Sequence, residues 1–164
     1  MIFRISGKLG KKIHLQPDER LPLDPNRYAD WSAHLFTANR VQYILVTNTA
    51  SLYSVVMFGR GVTDIDPFLR RTFSELRDLL EDDGFKFIAE RHVFGTPSGI
   101  TFSKALNRNV VGSMNELVAE AKFLLNEEDM SPYHVSVRLN EIPLSYLDYR
   151  HPKETFRGLR PVRP

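Results

Sequence analysis

The chain has 164 residues, 42% of them hydrophobic, which is enough to bury a core within one domain. It contains no cysteine, which excludes disulfides, thiolate nucleophiles and cysteine-ligated metal centres. The net charge of +2 is unevenly distributed: residues 1–12 and 150–164 each carry +4 and the segment between them carries −6, a pattern typical of solvated ends and compatible with a polyanionic partner.

The N-terminal segment predicts a cytoplasmic protein without a membrane partner. Charges at Arg4, Lys8, Lys11 and Lys12 interrupt the apolar stretch of about 7 to 15 residues that a secretory signal needs. The chain also lacks a run of about 18 apolar residues, the minimum for a helix that spans a bilayer.

The first third of the chain has the alternation and apolar runs of β-strands. Residues 2–6 predict a short strand, and the proline-rich segment 16–30 predicts a surface loop. The dipeptide Asn39-Arg40 predicts a tight turn between two of the strands that follow. Three runs then predict an antiparallel meander, namely residues 32–38, 41–47 and 52–58.

The period then changes to that of helices. Pro67 follows Thr63 and Asp66 as a first-turn proline, and an apolar stripe predicts a helix over about 67–82. A second amphipathic run predicts a helix over about 113–126. Three shorter segments remain: residues 85–94 fit either a helix or a strand, and residues 99–105 and 133–139 predict strands.

These elements predict an α+β fold in which an antiparallel sheet of about four to six strands packs against two main helices. Residues 1–150 are expected to form a single domain. Residues 151–164 are expected to form a basic C-terminal tail that contains prolines.

The stretch NRNVVGSMNEL (107–117) precedes the second helix and fits either a self-capping helix start or an anion site. Ser113 and Glu116 have the spacing of a capping box. The remaining first-turn amides, together with nearby cations, have the chemistry that holds a phosphate or carboxylate. The residues predicted to bind such a ligand are Lys104, Asn107, Arg108, Gly112, Ser113 and Asn115.

The loop TNTASLYS (47–54) is rich in hydroxyl and amide side chains. Such residues ordinarily stabilise a turn by bonding to their own backbone, and a polar ligand pocket would need the same residue types. Asn48, Ser51 and Ser54 are therefore further ligand-binding candidates.

Catalytic candidates are fewer. His34, on the first strand of the meander, has the chemistry of a general base, although a histidine there is more often a half-buried structural residue. Arg60 or Arg108 would stabilise an anion beside it. The spacing of the histidines supports no metal site, no phosphate-loop motif occurs, and no cofactor is predicted.

Two segments, residues 29–61 and 102–117, resemble an uncharacterised bacterial family catalogued as a domain of unknown function. The family's patterns T-N-x-x-S-x-x-S and N-R-x-V-x-G-S-M-N occur here at 47–54 and 107–115. The resemblance implies no activity.

Three functions remain open from the sequence. The preferred one is a binding module for a phosphate-bearing partner, either a nucleic acid or a nucleotide. The second is a hydrolase or nuclease-like enzyme that uses His34 with Arg60 or Arg108. The third is a protein-interaction scaffold without a small-molecule site.

Overall fold

The protein is built on a five-stranded sheet with the strand order β4-β3-β2-β1-β5. A computed structural model describes residues 1–95 and 99–161. The strands span Ile2–Ile5 (β1), Asp30–Ala38 (β2), Val41–Asn48 (β3), Ser54–Phe58 (β4) and Thr101–Ser103 (β5). The helices span Gly7–Ile13 (α1), Ile65–Asp82 (α2), Lys86–Ile88 (α3), Arg108–Asn126 (α4), Pro132–Leu139 (α5) and Pro152–Arg157 (α6). The predicted α+β class is confirmed.

The predicted meander is also confirmed. β2 pairs with β3 and β3 pairs with β4, both antiparallel. Asn39 and Arg40 form the turn between β2 and β3 with φ values of 48° and 64°. Two consecutive residues of positive φ are typical of the hairpin turn whose twist matches that of the flanking strands.

The sheet is mostly antiparallel, as predicted, but its first strand makes it mixed. β1 lies between β2 and β5 and runs parallel to both. The side-chain period of a strand is the same in parallel and antiparallel pairs, so the alternation over residues 2–6 carried no information about direction. β1 leads directly into α1, where the hydroxyl of Ser6 accepts a hydrogen bond from the Leu9 amide at 3.3 Å.

Both faces of the sheet are covered. Alternate strand positions project to opposite faces, so neighbours such as Ile44 and Leu45 are both fully buried but in different clusters. On one face, α2 and α6 contribute Phe68, Leu76 and Phe156. On the other face, α4 and α5 contribute Met114, Leu117 and Val135. Both predicted main helices are therefore present.

The second main helix begins earlier than predicted. α4 starts at Arg108, and its N-cap is Asn107, whose side-chain oxygen accepts a hydrogen bond from the Val110 amide at 2.9 Å. Ser113 lies inside the helix and donates to the Asn109 carbonyl at 3.0 Å. The predicted capping box of Ser113 with Glu116 is therefore wrong. Gly112 lies inside α4, but glycine has low helix propensity, so the sequence predicted that the helix begins after it, at residue 113.

Residues 133–139, predicted as a strand, belong to helix α5. Ser131 caps this helix by accepting from the His134 amide at 3.3 Å, and Pro132 occupies its first turn. The buried residues Val135 and Leu139 are four apart, the spacing of one helix face. Because Val137 lies between them, apolar residues occur at every second position, and this alternation resembles that of a strand.

Helices also occur in the ambiguous segment 85–94 and in the segment predicted as a basic tail. Residues 85–94 contain α3 and a π-helical turn over Ala89–Val93. The segment 151–164 begins with α6, where Phe156 is fully buried and its ring lies 4.7 Å from that of Tyr53. Residues 152–156 therefore pack against the sheet, and residues 162–164 lie outside the described ranges.

The acidic C-terminal end of α2 is compensated by neighbours. Asp83 accepts hydrogen bonds from the Tyr53 hydroxyl at 2.6 Å and from the Lys153 ammonium group of α6 at 2.7 Å. Asp82 accepts from the Tyr133 hydroxyl, which raises the pKa of Tyr133 to about 12. These contacts offset the unfavourable interaction of two carboxylates with the negative end of the helix dipole.

Candidate functional site

Helix α1, strand β2 and helix α4 border an open groove of about 690 Å³, here called the lysine groove. On α4 its lining positions are 115, 118, 119 and 122, a spacing that places all four on one helix face. On α1 its lining residues Lys8 and Lys11 are three apart and also share a face. The full lining is Lys8, Lys11, His34, Leu35, Phe36, Thr37, Gln42, Asn115, Val118, Ala119 and Lys122.

The lysine groove is strongly cationic. Lys8, Lys11 and Lys122 line it, and no aspartate or glutamate does. Asn115 and Thr37 add hydrogen-bond donors, while Phe36 and Val118 add apolar surface. A few polar groups converging on a partly apolar concavity of this volume are typical of small-ligand sites.

His34 lies where the lysine groove meets a smaller space of about 120 Å³, here called the small cavity. Burial lowers the pKa of His34 below its usual value, and the charges of Lys8 and Lys122 lower it further. Both effects favour the neutral form of the imidazole. Its nitrogens form no hydrogen bond with residues 1–95 or 99–161, and no fully buried side-chain nitrogen or oxygen in those ranges lacks a partner, so solvent reaches the ring.

The small cavity also borders Arg4, but this arginine is fully engaged in the fold. Its guanidinium group forms a two-pronged ion pair with Asp30, at 2.8 and 2.7 Å, and both side chains are fully buried. The same group donates to the carbonyls of Leu21 and Pro22 and to the hydroxyl of Ser103. Arg4 consequently fastens the loop 16–30 to the sheet and has no free donor for a ligand.

A second groove, here called the arginine groove, adjoins the first at Gln42, which lines both. It has a volume of about 1010 Å³. Its lining is Lys12, Arg40, Val41, Gln42, Phe58, Arg60, Gly61, Arg71 and Glu75. Lys12, from the same helix as Lys8 and Lys11, donates to the Gln42 side chain at 2.9 Å and so lies beside the junction.

The residues predicted at the start of α4 are mostly exposed and dispersed. Lys104, Asn107, Arg108 and Gly112 are exposed, whereas Ser113 is buried within the helix. Asn115 lines both the lysine groove and the small cavity. The helix start itself borders the small cavity through Val110 and Val111.

The polar loop 47–54 is a buried structural turn. The Asn48 amide group donates to the carbonyls of Arg27 and Asp30, and its oxygen accepts from the backbone and hydroxyl of Ser51. Ser54 bonds to the Thr47 hydroxyl at 2.9 Å. Asn48, Ser51 and Ser54 are each fully buried, so their polar atoms serve the fold.

The catalytic candidates do not share one groove. His34 lines the lysine groove, and Arg60 lines the arginine groove. Arg108 lines neither and is exposed as the first residue of α4. The three side chains therefore do not form a single constellation.

Sequence reasoning missed the lysines that line the groove. Lys8 and Lys11 follow Ser6, a helix-capping residue, with a spacing that places them on one face of a short helix. Lys122 has helical spacing from Asn115. Each spacing is visible in the local sequence. The three lysines line one groove, however, only because β1 docks parallel to β2.

Two further properties follow from the helices and side chains. Among residues 1–95 and 99–161, no three or more His, Asp or Glu side chains are grouped so as to hold a metal ion. None of the helices in the described part of the chain has the length and hydropathy of a membrane span.

Comparison with known proteins places the chain in a family. No curated protein and no solved structure matches it. A family model described as Domain of unknown function (DUF6933) matches residues 2–155, a range that contains all five strands and the whole lining of both grooves. The chain therefore belongs to this family of unknown function.

Proposed function

We propose that the protein is a binding module for a phosphate-bearing ligand, which it holds in the lysine groove. The observation that carries this proposal is the convergence of Lys8, Lys11 and Lys122 on one concavity without a carboxylate in its lining. Like charges held together in this way repel one another, and a bound anion relieves that repulsion.

The chemistry of the lining favours phosphate over a simple halide. Lysine ammonium groups bind phosphate as point charges, and the Asn115 amide and Thr37 hydroxyl can donate to its oxygens. The apolar side chains of Phe36 and Val118 would contact the organic part of a nucleotide or nucleic acid.

A hydrolase or nuclease-like enzyme is the second candidate. A neutral, solvent-accessible His34 in a cationic groove is in the right protonation state for a general base. His34 and Arg60 line different grooves, which favours binding over catalysis.

A protein-interaction scaffold is supported less well. Large exposed apolar side chains come from several elements, among them Phe58 of β4, Phe87 of α3 and Phe123 of α4. Phe58 lies in a groove whose lining includes four basic residues and one acidic residue, which favours an anionic ligand over an apolar protein surface.

The proposal is tested by reversing charges inside and outside the groove. Lys8→Glu and Lys122→Glu should each weaken the binding of inorganic pyrophosphate, measured by isothermal titration calorimetry. Two unit charges about 4 Å apart in water interact by about 1 kcal/mol, so a reversal changes the free energy by about 2 kcal/mol, or roughly thirtyfold in affinity.

Lys104→Glu is the matched control because Lys104 is exposed beside the start of α4 and lies outside the lysine groove. It should bind pyrophosphate as the unmodified protein does. Equal losses from Lys104→Glu and Lys8→Glu would instead favour the helix start, and no binding by the unmodified protein would refute the proposal. Release of orthophosphate during the titration, lost in His34→Gln, would establish the hydrolase.

A further inference from the structure

The arginine groove contains an aromatic ring that belongs to neither hydrophobic core cluster. Phe58, the last residue of β4, is 50% exposed. Its ring lies 5.4 Å from that of Tyr43, and the two rings are stacked. Tyr43 in turn stacks on Phe36 at 5.6 Å. Phe58 is thus the exposed end of a ladder of three rings across the meander.

The ladder spans the two grooves. Phe36 lines the lysine groove and Phe58 lines the arginine groove, with the buried ring of Tyr43 between them. The backing ring holds Phe58 in place, because offset-stacked aromatic pairs stabilise one another by about 0.5 to 1.5 kcal/mol beyond the area that they bury.

Four basic residues line the same groove as the exposed ring. Arg40 and Arg60 are both exposed, and Lys12 and Arg71 are half-buried. One guanidinium nitrogen of Arg71 donates to the carbonyls of Phe58 and Arg60. Its other nitrogens form no hydrogen bond in the described part of the chain and are available to a ligand. The single carboxylate in the lining is Glu75, whose pKa is raised by burial and by Asp78 and is lowered by Arg71.

We infer that the two grooves together bind single-stranded nucleic acid, with one base stacked on Phe58 and the backbone phosphates held by the cations of both grooves. This inference rests on the proposed function and specifies its ligand. The two grooves are lined by seven basic side chains and one carboxylate, and they share Gln42 in their linings. A chain longer than one nucleotide is needed to occupy both.

A single strand is favoured over a duplex by the position of Phe58. An exposed aromatic face flanked by cations binds unpaired bases by stacking, largely independently of sequence. The bases of a duplex are already stacked on one another and cannot reach a ring set in a groove without being extruded. An acidic peptide could satisfy the cations but would leave the ring without a stacking partner.

The test compares ligands with and without bases. Fluorescence anisotropy is measured with a labelled oligothymidine of about twelve nucleotides, a length that covers common single-strand site sizes. The comparison ligands are an abasic oligomer of the same length, the corresponding duplex and polyglutamate. The unmodified protein should bind oligothymidine at least about fivefold more tightly than each of the three, because one stacked base contributes about 1 kcal/mol or more.

The protein variants are Phe58→Ala and its matched control Phe87→Ala, which removes a phenylalanine that is 67% exposed on α3. Phe58→Ala should weaken oligothymidine binding about fivefold or more and leave pyrophosphate binding unchanged. Phe87→Ala should change neither.

The outcomes separate the inference from the proposed function. Equal affinity for the abasic oligomer, the duplex or polyglutamate overturns the inference, and so does unchanged oligothymidine binding by a folded Phe58→Ala. Pyrophosphate binding that still depends on Lys8 and Lys122 would leave the proposed function standing in each of those cases. If the unmodified protein did not bind pyrophosphate, both the inference and the proposed function would be overturned.

Discussion

Arg4 shows how much of this fold depends on one buried residue. Its guanidinium group connects β1 to Asp30 of β2, to Ser103 of β5 and to the loop carbonyls of Leu21 and Pro22. A buried ion pair contributes little relative to a well-packed apolar pair, but removing one partner leaves a buried charge without compensation.

Arg4→Met should therefore destabilise the protein by about 3 to 5 kcal/mol, because it leaves the Asp30 carboxylate buried and unpaired. Urea denaturation followed by circular dichroism measures the change. The double variant Arg4→Met with Asp30→Asn should be more stable than Arg4→Met alone, because it removes the uncompensated charge. A loss of under about 1 kcal/mol in Arg4→Met, the value of an exposed pair, would contradict this account.

His34 should make ligand binding depend on pH. Burial, Lys8 and Lys122 lower the pKa of the free imidazole. A bound phosphate would bring negative charge to the same groove and raise that pKa again. The pKa of His34 is then higher in the complex than in the free protein, so binding takes up a proton. Affinity should therefore increase as the pH falls from 8 through the usual histidine range near 6.5. It should level off below the pKa of His34 in the free protein.

The measurement uses a phosphodiester oligonucleotide, because its phosphates do not titrate in this range. Affinity is compared from pH 8 to about pH 5.5, which brackets the ordinary histidine pKa. His34→Gln should flatten the profile while His134→Gln, on the exposed side of α5, should leave it unchanged. A profile that is already flat in the unmodified protein would place His34 outside the binding site.

At the scale of elements, α5 completes the hydrogen bonding of the outermost strand, β4. Ser136 accepts from the Val56 amide at 2.8 Å. Asn140, one helical turn later, accepts from the Ser54 amide at 2.7 Å and donates to the Ser54 carbonyl at 2.8 Å. Two side chains of a helix thus take the place of a neighbouring strand, and an edge covered in this way cannot pair with another chain.

Asn140→Leu should expose this edge. It leaves the amide and carbonyl of Ser54 without partners, which costs about 1 to 3 kcal/mol per buried polar group. We expect a lower free energy of unfolding, and self-association in sedimentation velocity experiments, because an unpaired strand edge is a template for another chain.

Asn126→Ala is the control, since Asn126 is exposed at the last residue of α4. It should change neither stability nor association state. If Asn140→Leu proved as stable and as monodisperse as this control, the side chains of α5 would not be what protects β4.

The elements that the sequence predicted correctly are those with a long, unambiguous period. α2 and α4 each repeat their apolar stripe over several turns, and β2 and β3 are bounded by a turn of strong local preference. α5 was mistaken for a strand because Val135, Val137 and Leu139 alternate over a segment too short to distinguish the two periods. The pair Ser131-Pro132 was the local signal of a helix start.

At the scale of the whole molecule, the candidate site is assembled from segments that are distant in the sequence. Lys8 and Lys122 meet only because β1 docks beside β2 and α4 packs on the same sheet face as Phe36. Sequence analysis identified His34, Asn115 and Arg60, whose chemistry is visible locally. It could not identify the grooves, because strand order and direction are set by long-range pairing.

The charged ends of the chain, similar in the sequence, have different roles in the fold. Of the four basic residues in 1–12, Arg4 is buried in an ion pair and Lys8, Lys11 and Lys12 line the grooves. Near the other end, Lys153 pairs with Asp83, and the Arg157 guanidinium lies 5.6 Å from the centre of the Phe85 ring. Three cations of the N-terminal cluster therefore line the grooves, whereas Lys153 at the other end serves the fold.

The division of the lysine groove between α1 and α4 has a consequence for denaturation. Lys8 and Lys11 belong to one helix and Lys122 to another that is distant in the sequence, so the three cations lie together only while both helices are docked on the sheet. Detachment of either helix would disperse the charges, and a bound anion would oppose that detachment by stabilising the native state.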